Sequence, residues 1–469
     1  MATQLQSTSP TVTILAASTG NDRPFQFSLT INALTLTSQS GHTVSLLTAP
    51  LYLEFMHLNG TPEPLATVSV PEDTYTTAAV SLDTADFTCA TTGPSGVLAT
   101  DNFLYNPVPA ADVVVNLPSP IRIAGGSIIL TLNLLVSQSE SYASCYDAGG
   151  TEPFSITPTF SVSATPVSGS PTNPGNGRLT GLEGIIASAG GATNSFLVNS
   201  ADGSNYEGGG SSGLSYAANG PSWQIAFNAS TVFQGIAGPS QLVAGLAVDV
   251  DAAVQPDGSL LATRIAVYDT YPTETSLWVV PALFEYDPLG TVMLTGEKEQ
   301  LGPVQGGDGA PIDFGNSLFG ISRQLNNLES LPFQPSFTGA NMVAGQNIEP
   351  TFHESSYGDS TGGPSPSTVT LLPQTVNGTV SAIGSEGGFT IYTVTLASYD
   401  LFPALAVQSG QTTLLTDPAT VTVYADSNTQ MLNTTPIAVG SVERFYGLVF
   451  NDSGTLRMDC AQINNGVAE

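Results

Sequence analysis

Gly209-Gly-Ser-Ser-Gly213 has the G-x-S-x-G spacing of a serine-hydrolase nucleophile elbow. That elbow works as a sharp turn from a strand into a helix, which lifts the serine above a sheet. Here the match lies inside Glu207-Gly-Gly-Gly-Ser-Ser-Gly213, in a strand-rich region, so it reads as a loop. His42, His57 and His353 show no paired spacing, and neither H-E-x-x-H nor C-x-x-C occurs, so no zinc site is expected. Asp249/Asp251, Glu285/Asp287 and Glu297/Glu299 offer the two carboxylates that glycoside hydrolysis uses. Among 38 acids such neighbours arise by chance, and on a strand each pair shares one face. A solvated acidic face is expected, with calcium, which takes hard oxygen ligands, as the lesser option. Gly306-Gly-Asp-Gly309 is a single copy and not a repeated calcium motif. No catalytic, cofactor-binding or metal residue is assigned.

Of the three cysteines, Cys89 and Cys145 fall in one unit and are expected to pair if the chain is exported, given Cα atoms within ~7 Å. Cys460 alternates with Leu456 and Met458, opposite Arg457 and Asp459, as a buried, inert thiol would. Phe25, Phe27, Phe160 and Phe450 sit in alternating strands and read as core. Tyr286, Tyr357 and Tyr399 lie near loops and are better placed for a sugar-binding surface.

The elements that must position these residues are strands. Lys298 is the one lysine in 469 residues, and the net charge is −30. Charged residues make up 10%, against about 25% in ordinary soluble domains. Nucleic acid is excluded as a partner, because no basic stripe exists to neutralise phosphates. The longest apolar run, Ile128 to Val136, is far too short to span a membrane and reads as a strand. Met1 to Thr19 lacks the basic start and apolar core of a signal peptide. Lysine ordinarily protects exposed sheet edges from pairing with other chains, and this chain is almost without it.

Period-2 segments such as Phe25–Ile31, Thr43–Leu47, Thr74–Leu82 and Val113–Val115 recur between Gly, Pro, Asn and Asp clusters. Only Asn316–Leu331 suggests a short helix. A three-fold repeat follows. Its second strand opens at Val243-Ala-Gly245, Val343-Ala-Gly345 and Ala438-Val-Gly440, and hairpin turns fall at Asp257-Gly258 and Ser453-Gly454. Phe227-Asn-Ala-Ser230, Phe314-Gly-Asn-Ser317 and Tyr424-Ala-Asp-Ser427 precede the copies. The expected fold is all-β. It comprises a strand-like tail over 1–23, a β-sandwich over 24–168 and a linker over 169–176. Small β-barrel or β-sandwich repeats then occupy 177–270, 276–375 (degenerate) and 377–469, strung as beads.

Val70-Pro-Glu-Asp-Thr-Tyr-Thr-Thr-Ala-Ala-Val-Ser-Leu82, with Ala33-Leu-Thr-Leu-Thr37 and Leu46-Leu47 before it, resembles the N-terminal Ig/transthyretin-like β-sandwich domain of exported bacterial proteins of unknown function. Asn228-Ala-Ser-Thr-Val232, Val243-Ala-Gly245 and Asp257 to Ile265 resemble the small β-barrel domains found in tandem behind it. The resemblance implies export and an envelope or extracellular location, and supplies no catalytic residues.

The sequence therefore predicts a non-enzymatic extracellular or cell-surface structural protein that polymerises with its own copies. The alternative is an adhesin or carbohydrate-binding protein meeting a surface polysaccharide. The strand assigned to assembly is Ser9 to Ser18, with Val12, Ile14 and Ala16 on one face; it either joins a neighbouring copy or pairs with its own sandwich.

Overall fold

The computed structural model describes residues 10–19, 24–55, 58, 62–89, 91–92, 98–99, 111–139, 156–167, 177–190, 194–200, 221–268, 275–278, 291–293, 309–311, 314, 317–322, 328–343, 345–351, 366–397, 419–431 and 436–466. They form an all-β protein. Helix is limited among them to one α-turn, α1 (Val136–Ser139), and two 3-10 turns, Pro239–Gln241 and Leu328–Ser330. No helix among them is long and apolar enough to cross a membrane. Where a helix was considered over Asn316–Leu331, the described residues form a strand at Leu318–Ile321, which finds a parallel partner, and the second 3-10 turn.

The N-terminal unit contains β1 (Thr11–Ser18), β2 (Pro24–Ser38), β3 (Thr43–Ser45), β4 (Leu51–Glu54), β5 (Glu63–Ser69), β6 (Asp73–Cys89), β7 (Thr91–Thr92), β8 (Leu98–Ala99), β9 (Ala111–Ile123), β10 (Ile128–Leu134) and β11 (Phe160–Pro166). One sheet runs β11-β10-β1-β5 and the other β3-β2-β6-β9, with β4 on β2; β7 and β8 pair separately. Alternate residues, Phe27, Leu29 and Ile31 on β2 and Leu130, Leu132 and Leu134 on β10, meet in one core between the sheets. Tyr75 pins a corner: its ring is buried and its hydroxyl donates to the Pro71 carbonyl at 3.0 Å. The arrangement is that of the tyrosine corner of other sandwiches.

The first repeat contains β12 (Arg178–Gly190), β13 (Ser195–Ser200), β14 (Ser222–Ala226), β15 (Val232–Gln234), β16 (Ala247–Val254) and β17 (Leu260–Tyr268). Pairing of β14 with β17 closes it into a five-stranded barrel, and β15 continues along β17. The second contains β18 (Thr275–Trp278), β19 (Thr291–Met293), β20 (Gly309–Pro311), β21 (Leu318–Ile321), β22 (Asn347–Thr351) and β23 (Thr368–Leu371). Its strand order is the same, but among the described residues β20 and β23 form no ladder. The third, β24 (Gln374–Glu386), β25 (Phe389–Leu396), β26 (Thr420–Met431), β27 (Val442–Asp452) and β28 (Thr455–Asn465), closes again, with β26 serving where β14 and β15 serve in the first.

A hydroxyl clasp fixes the equivalence of the copies. Thr231, Ser317 and Thr429 donate to the carbonyls of Ala262, Pro366 and Cys460 at 2.8, 2.7 and 2.8 Å. In each copy that carbonyl lies two residues before the partner of the following residue: Val232 with Arg264, Leu318 with Thr368, Gln430 with Gln462. Alignment on Phe227, Phe314 and Tyr424 had matched Ser230 and Ser427 to Ser317, and the clasp corrects that register.

Gly184 and Gly378 occupy matching places on the first strands of the two closed barrels. A Cβ on Gly378 would stand 2.3 Å from the Thr395 carbonyl oxygen and 2.7 Å from Val394 Cγ1. Backbone cannot move aside as a side-chain tip can, so Gly378→Ala is expected to destabilise the third repeat by about 2–3 kcal/mol. Urea denaturation followed by hydrogen exchange in β24 and β25 checks this, and an unchanged midpoint would contradict it.

The units are packed together and are not strung as separate beads. Trp223 Nε1 of the first barrel donates to the Pro64 carbonyl at 2.6 Å, and the Ser127 hydroxyl donates to the Pro256 carbonyl. Leu448 and Phe450 of β27 enter the core of the second repeat, where Gln346 Nε2 also donates to the Val449 carbonyl at 2.8 Å.

Candidate functional site

Thr11-Val-Thr-Ile-Leu-Ala-Ala-Ser18 carries Val12, Ile14 and Ala16 on one side of an extended chain and Thr11, Thr13, Leu15 and Ala17 on the other, and in the fold both sides are covered. Val12, Ile14 and Ala16 are fully buried in the sandwich core. Leu15 points the opposite way and, 4% exposed, joins the core of the first barrel together with Ile129. Both edges of β1 are paired. It runs parallel to β10 from Val12–Ile128 to Ser18–Leu134, and antiparallel to β5 from Thr11–Ser69 through a bulge at Ile14/Leu15. Of the two uses open to this strand, the structure displays pairing with its own sandwich.

Polar contacts hold its ends and its outer face. The Val70 N–H donates to the Pro10 carbonyl at 3.1 Å. The Thr19 hydroxyl donates to the Leu134 carbonyl at 3.3 Å and accepts from the Val136 N–H at 3.1 Å. Arg444, 426 positions along the chain, donates from β27 to the Ser18 carbonyl at 2.7 Å. Across the middle lies the β16–β17 turn, where the Thr67 hydroxyl donates to the Gly258 carbonyl at 3.4 Å. Gly258 has φ +83°, and a Cβ there would lie 2.5 Å from Thr11 Cγ2 and 2.7 Å from Thr67 Cγ2. The turn can lie flat on β1 and β5 because this residue is glycine. The seat of β1 is thus built by three units: the sandwich, the first barrel and the third repeat.

Asp249 and Asp251 do share a face of β16, but that face is buried and not solvated: the two are 0% and 3% exposed. Arg264, opposite Asp251 on β17, bridges both, with Nη2 at 2.6 Å from Asp249 Oδ2 and Nε at 2.8 Å from Asp251 Oδ2. The Gly181 N–H donates to Asp251 Oδ1 at 3.2 Å. Burial first, then the charge of Asp249, push the Asp251 carboxyl up, while Arg264 pulls it back. Burial pulls the Arg264 guanidinium down, but Asp249 and Asp251 more than offset it and hold it above its usual value. The cluster binds two strands together. Glu285/Asp287 and Glu297/Glu299 lie outside the described residues.

Cys460 is buried, 3.3 Å from the Gln462 carbonyl, and burial followed by Asp459 pushes its thiol up, which makes it unreactive. The Cys89 side chain, Cys145, Gly209–Gly213, His57, His353, Tyr286, Tyr357 and Tyr399 lie outside the described residues; His42 is exposed. Phe333 packs on Tyr424 and Phe450, with the Arg457 guanidinium 5.3 Å from the Phe333 ring centre and 5.8 Å from that of Tyr424. Tyr424 and Phe450 are buried, so these rings join two repeats. Among the described residues, no group of three or more His, Cys, Asp or Glu is placed to hold a metal ion.

These features define a multi-unit all-β protein with two small closed five-stranded barrels. Within it, residues 183–266 match the model of a domain of unknown function (DUF5666). The matched segment runs from β12 to β17 and includes the Asp249–Asp251–Arg264 cluster, but neither β1 nor the sandwich. No curated protein matches the chain.

Proposed function

We propose that the protein is a non-enzymatic structural component of an extracellular or cell-surface layer, exported by a bacterium, which assembles with its own copies through β-strand contacts. The observation that carries this reading is β1, a strand covered on both faces that fills an inner place in a sheet. A strand of that kind brings main-chain bonds on two edges for affinity and side-chain pockets for register. When it links unlike surfaces of successive copies, the contact is head-to-tail and extends into rings or filaments. The outer surface supports the reading. The short strands β15 and β21 carry Val232 and Leu318, 54% and 72% exposed, where edge strands commonly carry lysine. The adhesin alternative rests on Tyr286, Tyr357 and Tyr399, which lie outside the described residues.

Light scattering and electron microscopy of the full chain, refolded from denaturant at pH values from 7 towards its pI of about 4.1 and with added salt, provide the test. The net charge of −30 opposes packing until it is screened or titrated. Fibres or sheets of uniform width are expected as salt rises or pH falls. A protein that stays monomeric throughout, or that gives only amorphous precipitate, overturns the reading.

A further inference from the structure

Resting on that reading, we propose that the receptor for β1 is the gap between β5 and β10 of a second copy, and that it accepts the strand only before the first barrel and the third repeat close over it. Three observations place the exchange there. First, β1 is hydrogen-bonded on both edges by its own chain, so it can link copies only by replacing the same strand in a neighbour, with the same register. Second, the gap is assembled late. β1 ends at Ser18, but the β5 edge begins only at Glu63 and the β10 edge only at Ile128, and the clasp from Thr19 to Leu134 joins residues 115 apart. During that interval a newly made β1 has one edge unpaired and an apolar face uncovered. Third, the finished seat is sealed. Leu15 is in the first barrel's core, the Gly258 turn lies over Thr11 and Thr67, and Arg444 holds the Ser18 carbonyl.

Leaving a finished seat therefore means opening contacts with three units at once, which makes exchange between folded copies slow. Partners meeting while they fold face no such barrier. The connection from Ser18 to Pro24 also limits the geometry, because its few residues reach about 20 Å when extended. Exchanged copies must lie sandwich against sandwich.

Thr13 and Thr67 provide the probe. They are register partners across β1 and β5 with hydroxyl oxygens 3.4 Å apart. In a Cys89→Ser/Cys145→Ser background, a Thr13→Cys protein and a Thr67→Cys protein are either refolded together from denaturant or mixed after folding, then oxidised. Peptide mapping is expected to find the 13–67 disulfide between chains several-fold more often in the co-refolded sample. The Thr13→Cys/Thr67→Cys double variant, refolded dilute, should close the bond within one chain and stop assembling. Ala16→Cys with Leu132→Cys repeats the measurement on the β10 edge, should the first pair disturb folding.

If the double variants close within one chain, yet no interchain bond forms on co-refolding of a protein that still builds fibres, the β5–β10 receptor is wrong and assembly uses another contact. Absence of any assembly by the unmodified chain overturns the assembly reading itself. Equal cross-linking of co-refolded and pre-folded mixtures overturns the sealing step.

Discussion

A chain that begins at residue 20 is expected to lose the packed structure of its N-terminal sandwich, and a peptide of residues 9–19 is expected to restore it. Val12, Ile14 and Leu15 are 0%, 0% and 4% exposed. At about 1.5–3 kcal/mol for each fully buried side chain, the three together contribute about 5–9 kcal/mol, as an upper figure. That is comparable to the whole net stability of a typical domain, about 5–15 kcal/mol. The truncation also strips the hydrogen-bonded partner from one edge of β5 and one edge of β10. Hydrogen exchange should therefore show amides of both strands losing protection, along with those of β11, which is then left in a two-stranded ribbon. Adding the peptide should return protection in proportion to its concentration, because a ligand of the folded state stabilises it by mass action. A shortened chain that melts with the full-length one, or a peptide without effect, would contradict the role given to β1.

Arg264→Met is expected to destabilise the first barrel by about 3–5 kcal/mol at neutral pH, since it leaves Asp249 and Asp251 buried without their cation. The deficit should shrink in acid. The folded barrel already holds the Asp251 carboxyl above its ordinary value, so Asp251 takes up a proton more readily in the folded barrel than in the unfolded chain. Its contribution to stability is full below the unfolded-state value and is lost as pH rises through the raised folded one. Removing the guanidinium removes what opposed that shift, so protonation relieves the variant more than the parent. Urea midpoints at pH 7 and pH 4 test this, with Arg264→Lys falling between because it keeps the charge but loses the two-pronged geometry. An equal deficit at both pH values would show that the cluster's charge is not what the arginine neutralises.

Much of the architecture was legible in local signals. Alternation in Phe27, Leu29 and Ile31 marked an inward face, and Asp257-Gly258 and Ser453-Gly454 marked turns that do hold Gly258, Ser453 and Gly454 at positive φ. The strand at Val12, Ile14 and Ala16 was legible as well, but its inner position was not. The clue was the unbroken run Ile14-Leu15-Ala16-Ala17, which signals cover on both faces and which a period-2 reading passes over. Asp249 and Asp251 were misjudged as solvated because charged residues on a strand usually face water. Their burial depends on Arg264, which only the pairing of β16 with β17 brings opposite Asp251. The Arg444–Ser18 contact carried no local signal at all, since it depends on how units far apart in sequence pack.

The core that the second repeat shares with the third has an evolutionary consequence. Its core is completed by Leu448 and Phe450 from the outer face of β27, so it borrows a floor from its neighbour. A module with a borrowed floor cannot be inherited, duplicated or transplanted alone, because cutting it free exposes the apolar surface it shares. Its strands can shorten, and its connecting segments can lengthen, so long as the neighbour keeps those two side chains.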